Sequence, residues 1–193
     1  MLTLYFAPGS SSMAPHIALH EIGAPFESRP VSFAKNEQRA PAFLALNPEG
    51  KVPTIVTEGG AVITEVAACL FYLAKKFPEA NLLPAGLEAE AQAVSWMSFA
   101  AATLHGARGR GAEIGRAAWK IAEQKLGKRD WALGAYSIAD IHLFRLYWRF
   151  RPLLGMSASD MPALDAHYAR MMARPAVQRT VAIESAIGYE LPT

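Results

Sequence analysis

Short β-type runs and longer helical stripes divide this chain into two unlike halves. Thr3-Leu4-Tyr5-Phe6 reads as a short strand, broken by Ala7-Pro8-Gly9-Ser10-Ser11-Ser12. A helical pattern follows over 13–22, with Pro15 tolerated in its first turn and Ala14, Ile17 and Ala18 as its buried face. Gly23 stops it. Residues 26–31 form a second strand candidate, 35–39 a polar loop and 42–46 a short helical piece. Two β-branched runs, 54–57 and 61–63, flank Gly59-Gly60, which is a strong hairpin signal. Pro53 lacks an N–H and fits the first residue of a strand or an edge. Val52 before it is pushed towards an extended conformation. Thr64-Glu65 then opens a helix to Phe77, on which Val66, Cys69, Leu70, Leu73 and Phe77 form one apolar stripe.

Residues 78–86 carry Pro78, Pro84 and Gly86 and mark the best boundary. No convincing strand follows it. A long helix is predicted over 87–104, with Glu88 and Glu90 in its first turn, where negative charge is favoured. Val94, Met97 and Leu104 line one side; Trp96 and Phe99 widen it. A second helix runs 112–126 and ends at Gly127. Ser137-Ile138-Ala139-Asp140 has the form of a capping box, with Tyr136 and Ile141 at the staple positions. The helix 141–150 is apolar nearly all round except for a stripe of His142, Arg145 and Arg149, the mark of a buried central helix. Helices over 162–173 and 176–186, broken at Pro175, close the chain. The order is β-α-β-(α)-β-β-α, a linker, then helices alone: a small mixed sheet joined to a helical bundle.

Composition narrows the function classes. The chain has 193 residues, 52% apolar and 19% charged, as expected of a well-packed soluble globule. A net charge of +2, with scattered basic residues, argues against a nucleic-acid partner. No apolar run is long enough to span a membrane, and the N-terminus lacks the form of a signal peptide. The single cysteine, Cys69, allows no internal disulfide and fits a reducing cytoplasm; its place on the stripe reads as inert core. Neither a Cys/His cluster nor a phosphate-type glycine loop is present, so no metal or nucleotide site is expected.

The chemistry is concentrated between Asn47 and Glu65. An extended Val52 offers its N–H and C=O as a free edge with which a peptide-like ligand can pair. The helix start at Glu65 offers N–H groups to a carboxylate. One short segment thus provides a place for a peptide backbone and for an anion.

These motifs, in this order, resemble the cytosolic glutathione transferase family. The residues that carry the resemblance are Tyr5 to Ser12, Ala14-Pro15-His16, Asn47 to Pro53, Thr64-Glu65 and Ser137 to Asp140, and it covers nearly the whole chain. The pattern is similar to bacterial beta-class-like members. The resemblance implies a thioredoxin-like glutathione-binding domain over 1–78, a linker over 79–86, and an α-helical domain over 87–193, usually as a homodimer. It implies a cis-proline at Pro53, glutathione's backbone paired with Val52, and its γ-glutamyl end held at Glu65 and Val66. Lys35 is implied as a contact to a glutathione carboxylate and His105 as a residue near the thiol. Ser137 and Asp140 match the family's structural capping box.

Four departures shape the expectation. Ser11 stands where the beta class has its cysteine, so a serine hydroxyl activating glutathione replaces thiol–disulfide chemistry. Ser10 and Ser12 are neighbouring alternatives and Tyr5 a weaker one, since Phe6 falls where the class has its tyrosine. Val66 replaces the usual serine or glycine, and the segment between His105 and Ser137 looks shorter than in typical members. A free thiol has a pKa of about 8.5, so a hydroxyl at the start of the first helix is expected to favour the nucleophilic thiolate. The expected activity is transfer of glutathione to a hydrophobic electrophile, or reduction of a peroxide. The alternative is a non-catalytic glutathione- or partner-binding protein of the same fold.

Overall fold

Leu2, Leu4 and Phe6 are buried while Thr3 and Tyr5 between them are half-buried, so β1 (Leu2–Phe6) has the alternation of a strand covered on one face. The computed structural model describes residues 1–191. β1 pairs in parallel with β2 (Phe26–Pro30), Leu2 opposite Phe26, and α1 (Met13–Ile22) makes the crossover. On its other side β1 runs antiparallel to β3 (Thr54–Val56), which pairs with β4 (Val62–Thr64), giving the order β2-β1-β3-β4. α2 (Pro41–Leu46) precedes β3, and α3 (Val66–Lys76) follows β4.

The boundaries of α1 match the sequence expectation, with Gly23 in the left-handed conformation returning its N–H to Leu19 C=O at 3.0 Å. The hairpin differs in detail. Its loop spans 57–61, closed by Gly60 N–H to Thr57 C=O at 3.0 Å and Thr57 N–H to Ala61 C=O at 2.9 Å. Glycine is needed only at Gly60, where φ is +82°. The strand begins at Thr54, one residue after Pro53, and Thr64 ends β4 where the sequence reading had it open the helix.

The second unit is built from α4 (Leu87–Phe99), α5 (Ala112–Leu126), α6 (Ile138–Leu153) and α7 (Pro162–Met172). α6 is its centre: Ile138 to Tyr147 are all buried, and α4 and α7 pack on it. The capping box is present. Ser137 N–H donates to Asp140 Oδ2 at 2.9 Å, and Ser137 Oγ accepts from Ala139 N–H at 3.3 Å. Asp140 Oδ1 also receives Ala132 N–H at 2.7 Å and His167 Nε2 at 3.0 Å, so one buried carboxylate ties α6, α7 and the loop before α6. Two expectations for the long helix need correction. Val94 is exposed, its place in the core taken by Ala93, Trp96 and Met97. The helix also changes its hydrogen-bonding pattern, becoming a π turn over Ala100–His105 and a 3₁₀ turn over Gly106–Arg110, so the stretch between the two helices predicted over 87–104 and 112–126 is itself helical.

α8 (Pro175–Ile187) lies within the stretch read as the helical domain, yet it packs on α1. By their contacts, residues 1–76 group with the segment from Pro175 onward, and Phe77–Arg174 form the other unit. The reason is in the side chains: Glu184 and Thr180 are fully buried on α8 and find their partners on α1 and the turn before it.

Candidate functional site

The sheet register brings the sequence-predicted residues to one end of the first unit. Tyr5 and Thr64 both stand opposite Thr54, and Phe6 stands opposite Pro30. The serine turn after β1, the loop after β2 with Lys35, Val52-Pro53 before β3, and Glu65-Val66 after β4 therefore all emerge at the same end. Among the candidates only His105 belongs to the second unit.

The three serines differ in what their hydroxyls do. Ser12 is fully buried; its Oγ accepts from Ala7 N–H at 3.0 Å and donates to Ala7 C=O at 3.2 Å. With that proton committed, Ser10 Oγ is the donor in the 2.7 Å contact between the two hydroxyls, and Ser10 is 5% exposed. Both therefore shape the turn. Ser11 is the partly exposed one. Its Oγ donates to Val52 C=O at 3.3 Å, and its N–H carries no hydrogen bond among the described residues. Ser11 thus offers an accessible hydroxyl and a spare amide two residues before α1, where the helix field favours an anion.

The turn is held from beneath by a buried carboxylate that sequence reasoning missed. Glu184 accepts from Gly9 N–H at 2.6 Å and pairs with His16 Nδ1 at 2.9 Å. Gly9 has φ +71°, and a Cβ there would meet the Tyr189 ring at 2.8 Å. The His16 ring lies 4.7 Å from those of Phe6 and His20. His20 Nδ1–H donates to Thr180 Oγ1 at 2.8 Å, because the Thr180 hydroxyl proton is given to Ala176 C=O. Burial, and then the neighbouring His16, lower the His20 pKa to about 4, so His20 is neutral near pH 7. Nothing local in the sequence marks Glu184 as buried: its helix face also carries Thr180, and its partners lie on α1 and the turn before it.

Val52 and Pro53 are joined by a cis peptide bond. Val52 is buried, and its N–H has no hydrogen-bond partner among the described residues, so the expected free amide is present, while its C=O is shared with Ser11. Glu65 is exposed and has φ +66°, a conformation that costs a non-glycine residue of order 1 kcal/mol or more and often marks a functional site. Its C=O caps α3 by accepting from Cys69 N–H at 2.9 Å; its carboxylate makes no hydrogen bond or ion pair among the described residues. Val66 is buried and begins α3. Lys51 nearby is ion-paired with Glu49 at 2.7 Å, which raises its pKa, with Glu65 adding to the effect.

Lys35 is exposed and borders a cavity of about 350 Å³ with Pro8, Ser32, Glu37 and Glu190. Glu190 fastens this loop to the C-terminal segment by accepting from Ala34 N–H at 3.0 Å and Ser32 Oγ at 2.9 Å, bonds that hold its carboxyl below the usual range. The Tyr5 hydroxyl is taken by Arg29 at 3.0 Å, and its ring edge meets Phe43. Cys69 is fully buried, and burial followed by the Glu65 charge pushes its pKa up to about 12, an inert thiol as expected. In the second unit His105 stands in the π turn, half-buried, with its ring 5.9 Å from that of Phe150. Burial first, then Arg145 and Arg108, lower its pKa. Among the described residues no group of three or more His, Cys, Asp or Glu is placed to hold a metal, and no helix is long and apolar enough to cross a membrane.

A four-stranded sheet with a cis-proline before its third strand, and an exposed left-handed residue opening the next helix, defines the thioredoxin-like half of the glutathione transferase type. Comparison with known proteins agrees. A family profile described as "Glutathione S-transferase, N-terminal domain" matches residues 10–76, and one described as "Glutathione S-transferase, C-terminal domain" matches 113–175. The chain is 32% identical to glutathione S-transferase GST-4.5 of Xanthomonas campestris pv. campestris, over 95% of this chain and 98% of that one. It is 28% identical to GstA of Escherichia coli O157:H7 over the same shares. A Sulfitobacter glutathione transferase homologue, solved with bound glutathione, superposes with a TM-score of 0.87 at 32% identity, covering 96% of this chain and 98% of that one. A beta-class enzyme of Sphingomonas chungbukensis gives 0.82 at 31% identity, over 94% and 98%. The chain belongs to the glutathione S-transferase family.

Proposed function

We propose that this chain is a cytoplasmic, homodimeric glutathione transferase of beta-class type in which Ser11 takes the place of the class's cysteine. Glutathione's cysteinyl backbone pairs with Val52 beside Pro53. Its γ-glutamyl carboxylate meets the free N–H groups at the start of α3, including that of Val66, and its ammonium meets the Glu65 carboxylate. Lys35 is the candidate for the second carboxylate. Ser11 Oγ–H and N–H then hold the sulfur as thiolate. The observation that carries this reading is that, of the three serines, Ser11 alone is partly exposed, and it already reaches Val52. Ser10, with its hydroxyl turned into the loop, acts by shaping the turn. His105, whose pKa is lowered by burial, is retained as a catalytic candidate through the family resemblance.

In the reaction the thiol proton leaves to solvent and the thiolate attacks an electrophilic carbon. The S–C bond forms as the bond to the leaving group breaks, and the leaving group departs with the electron pair. Proximity and thiolate stabilisation are the two effects invoked. The test is a pH titration of bound glutathione by thiolate absorbance, in wild type and Ser11→Ala. The thiol is expected to ionise about 1–2 units below its free value of about 8.5 in the wild type and to return towards it in Ser11→Ala. Titration as in free solution in both would overturn the serine-activated transferase. Light scattering of the purified chain tests the homodimer.

A further inference from the structure

Glu190 lies beyond the last helix, yet it is tied to the loop that carries Lys35. Gly188, with φ +102° and its N–H given to Glu184 C=O at 3.1 Å, lets the chain leave α8. Tyr189 then lies against Gly9, and Glu190 reaches the loop after β2.

In that loop Ser32 is the hub. Its N–H donates to Glu37 Oε2 at 2.8 Å, and its C=O accepts from Glu37 N–H at 3.0 Å. Its Oγ accepts from Lys35 N–H at 3.2 Å, and its hydroxyl proton goes to Glu190, both of whose carboxylate oxygens stand 2.9 Å away. Glu190 Oε2 also accepts from Ala34 N–H at 3.0 Å. Asn36 closes the turn in the left-handed conformation, φ +54°. Glu190 is 158 residues from Ser32 and, among the described residues, is the one distant side chain hydrogen-bonded to residues 32–35. Its carboxylate is committed to Ser32 and Ala34, while the Lys35 ammonium makes no hydrogen bond or ion pair among the described residues. The loop is thus held without its cation being neutralised. It also adjoins the seat proposed for glutathione, because Phe33 packs against the apolar cluster that contains Ala7 and Val52. A lysine is a point charge on a flexible stem, so its use to a fixed carboxylate depends on where its backbone is held.

We infer that Glu190 is a positioning residue for glutathione's glycyl carboxylate, acting through Ser32 and Ala34 to place Lys35. This rests on the reading of Lys35 as the contact to that carboxylate, and it adds a C-terminal determinant of selectivity. The experiment is calorimetric titration of the full chain with glutathione and with glutathione monoethyl ester, whose glycyl carboxylate is blocked. Wild type is expected to prefer glutathione by about tenfold, and Lys35→Ala to abolish that preference. Glu190→Ala is expected to weaken glutathione by about three- to fivefold and the ester by less than about 1.5-fold, with no further effect on the preference when Lys35→Ala is already present. Glu190→Gln keeps an acceptor oxygen and is expected to recover most of the loss. Glu190 is exposed, so these variants leave the core intact. Equal weakening of both probes would make Glu190 a brace of the fold, tighter glutathione binding would make it a competitor for Lys35, and no change would remove it from the site. Any of these, with the preference still lost in Lys35→Ala, overturns the positioning role alone. A preference untouched by Lys35→Ala overturns the reading of Lys35, and the role of Glu190 with it.

Discussion

Burying His142 as a neutral ring makes the second unit sensitive to acid in a way that can be calculated. Its pKa is lowered from 6.5 to about 3, by burial first and then by Arg145 and His105. The unfolded chain therefore takes up a proton that the folded chain refuses. Stability from this group is fully present above pH 6.5 and is lost as pH falls below it, until the loss levels off near the folded value. At about pH 5 the unfolded imidazole is favoured by roughly 1.5 units, which at about 1.36 kcal/mol per unit is a loss of ~2 kcal/mol relative to pH 7.5. That figure depends only on the unfolded pKa as long as the folded one stays well below 5. All four tryptophans lie between Phe77 and Arg174, so their fluorescence reports unfolding of this unit alone. Urea titrations at the two pH values, in wild type and His142→Leu, give the difference directly. Wild type is expected to lose ~2 kcal/mol more than the variant between the two pH values. Equal losses would refute the claim that His142 is buried neutral.

Three further outcomes are expected. Gly9→Ala adds a methyl against the Tyr189 ring at a positive φ and is expected to cost about 1–3 kcal/mol in urea unfolding followed by far-UV circular dichroism. Asp140→Ala strips the partners of Ser137, Ala132 and His167 at once and is expected to cost about 3–5 kcal/mol, against about 1 kcal/mol for Ser137→Ala, read from tryptophan fluorescence. Cys69 is expected to stay unmodified by a disulfide reagent at about pH 8 and to react at once in denaturant, because its thiol is buried with a pKa of about 12.

Local rules were sufficient wherever neighbours in sequence decide the structure. Gly23 and Gly127 stop α1 and α5 where expected, and the capping box is written in four consecutive residues. The stripe on α3 follows from helical period alone. What local pattern did not reveal depends on residues far apart. Glu184 looks like a solvated acid until its partners, Gly9 and His16, are brought to it, and α8 looked like part of the helical half for the same reason. Trp96 and Val94 are close on the same helix, and only the packing partners show which is core. In the candidate site, the backbone at Val52 and the helix start after Glu65 were legible from Pro53 and the hairpin. The choice among Ser10, Ser11 and Ser12 was not, since it rests on the direction of three hydroxyls within one turn.

Glu184 and Gly9 are 175 residues apart, and that separation sets an order of events in synthesis. A chain made from its N-terminus has β1, α1 and the serine turn long before α8 leaves the ribosome. Phe77–Arg174 is one continuous stretch and has all its contacts available before α8 has left the ribosome. The first unit is discontinuous and waits for α8, since Glu184 cannot reach His16 and Gly9 before then. The helical unit is therefore expected to fold first on the nascent chain, and the half carrying Ser11 to mature only once α8 has emerged. A chain stalled or cut before Pro175 would carry the serines without the carboxylate that holds their turn.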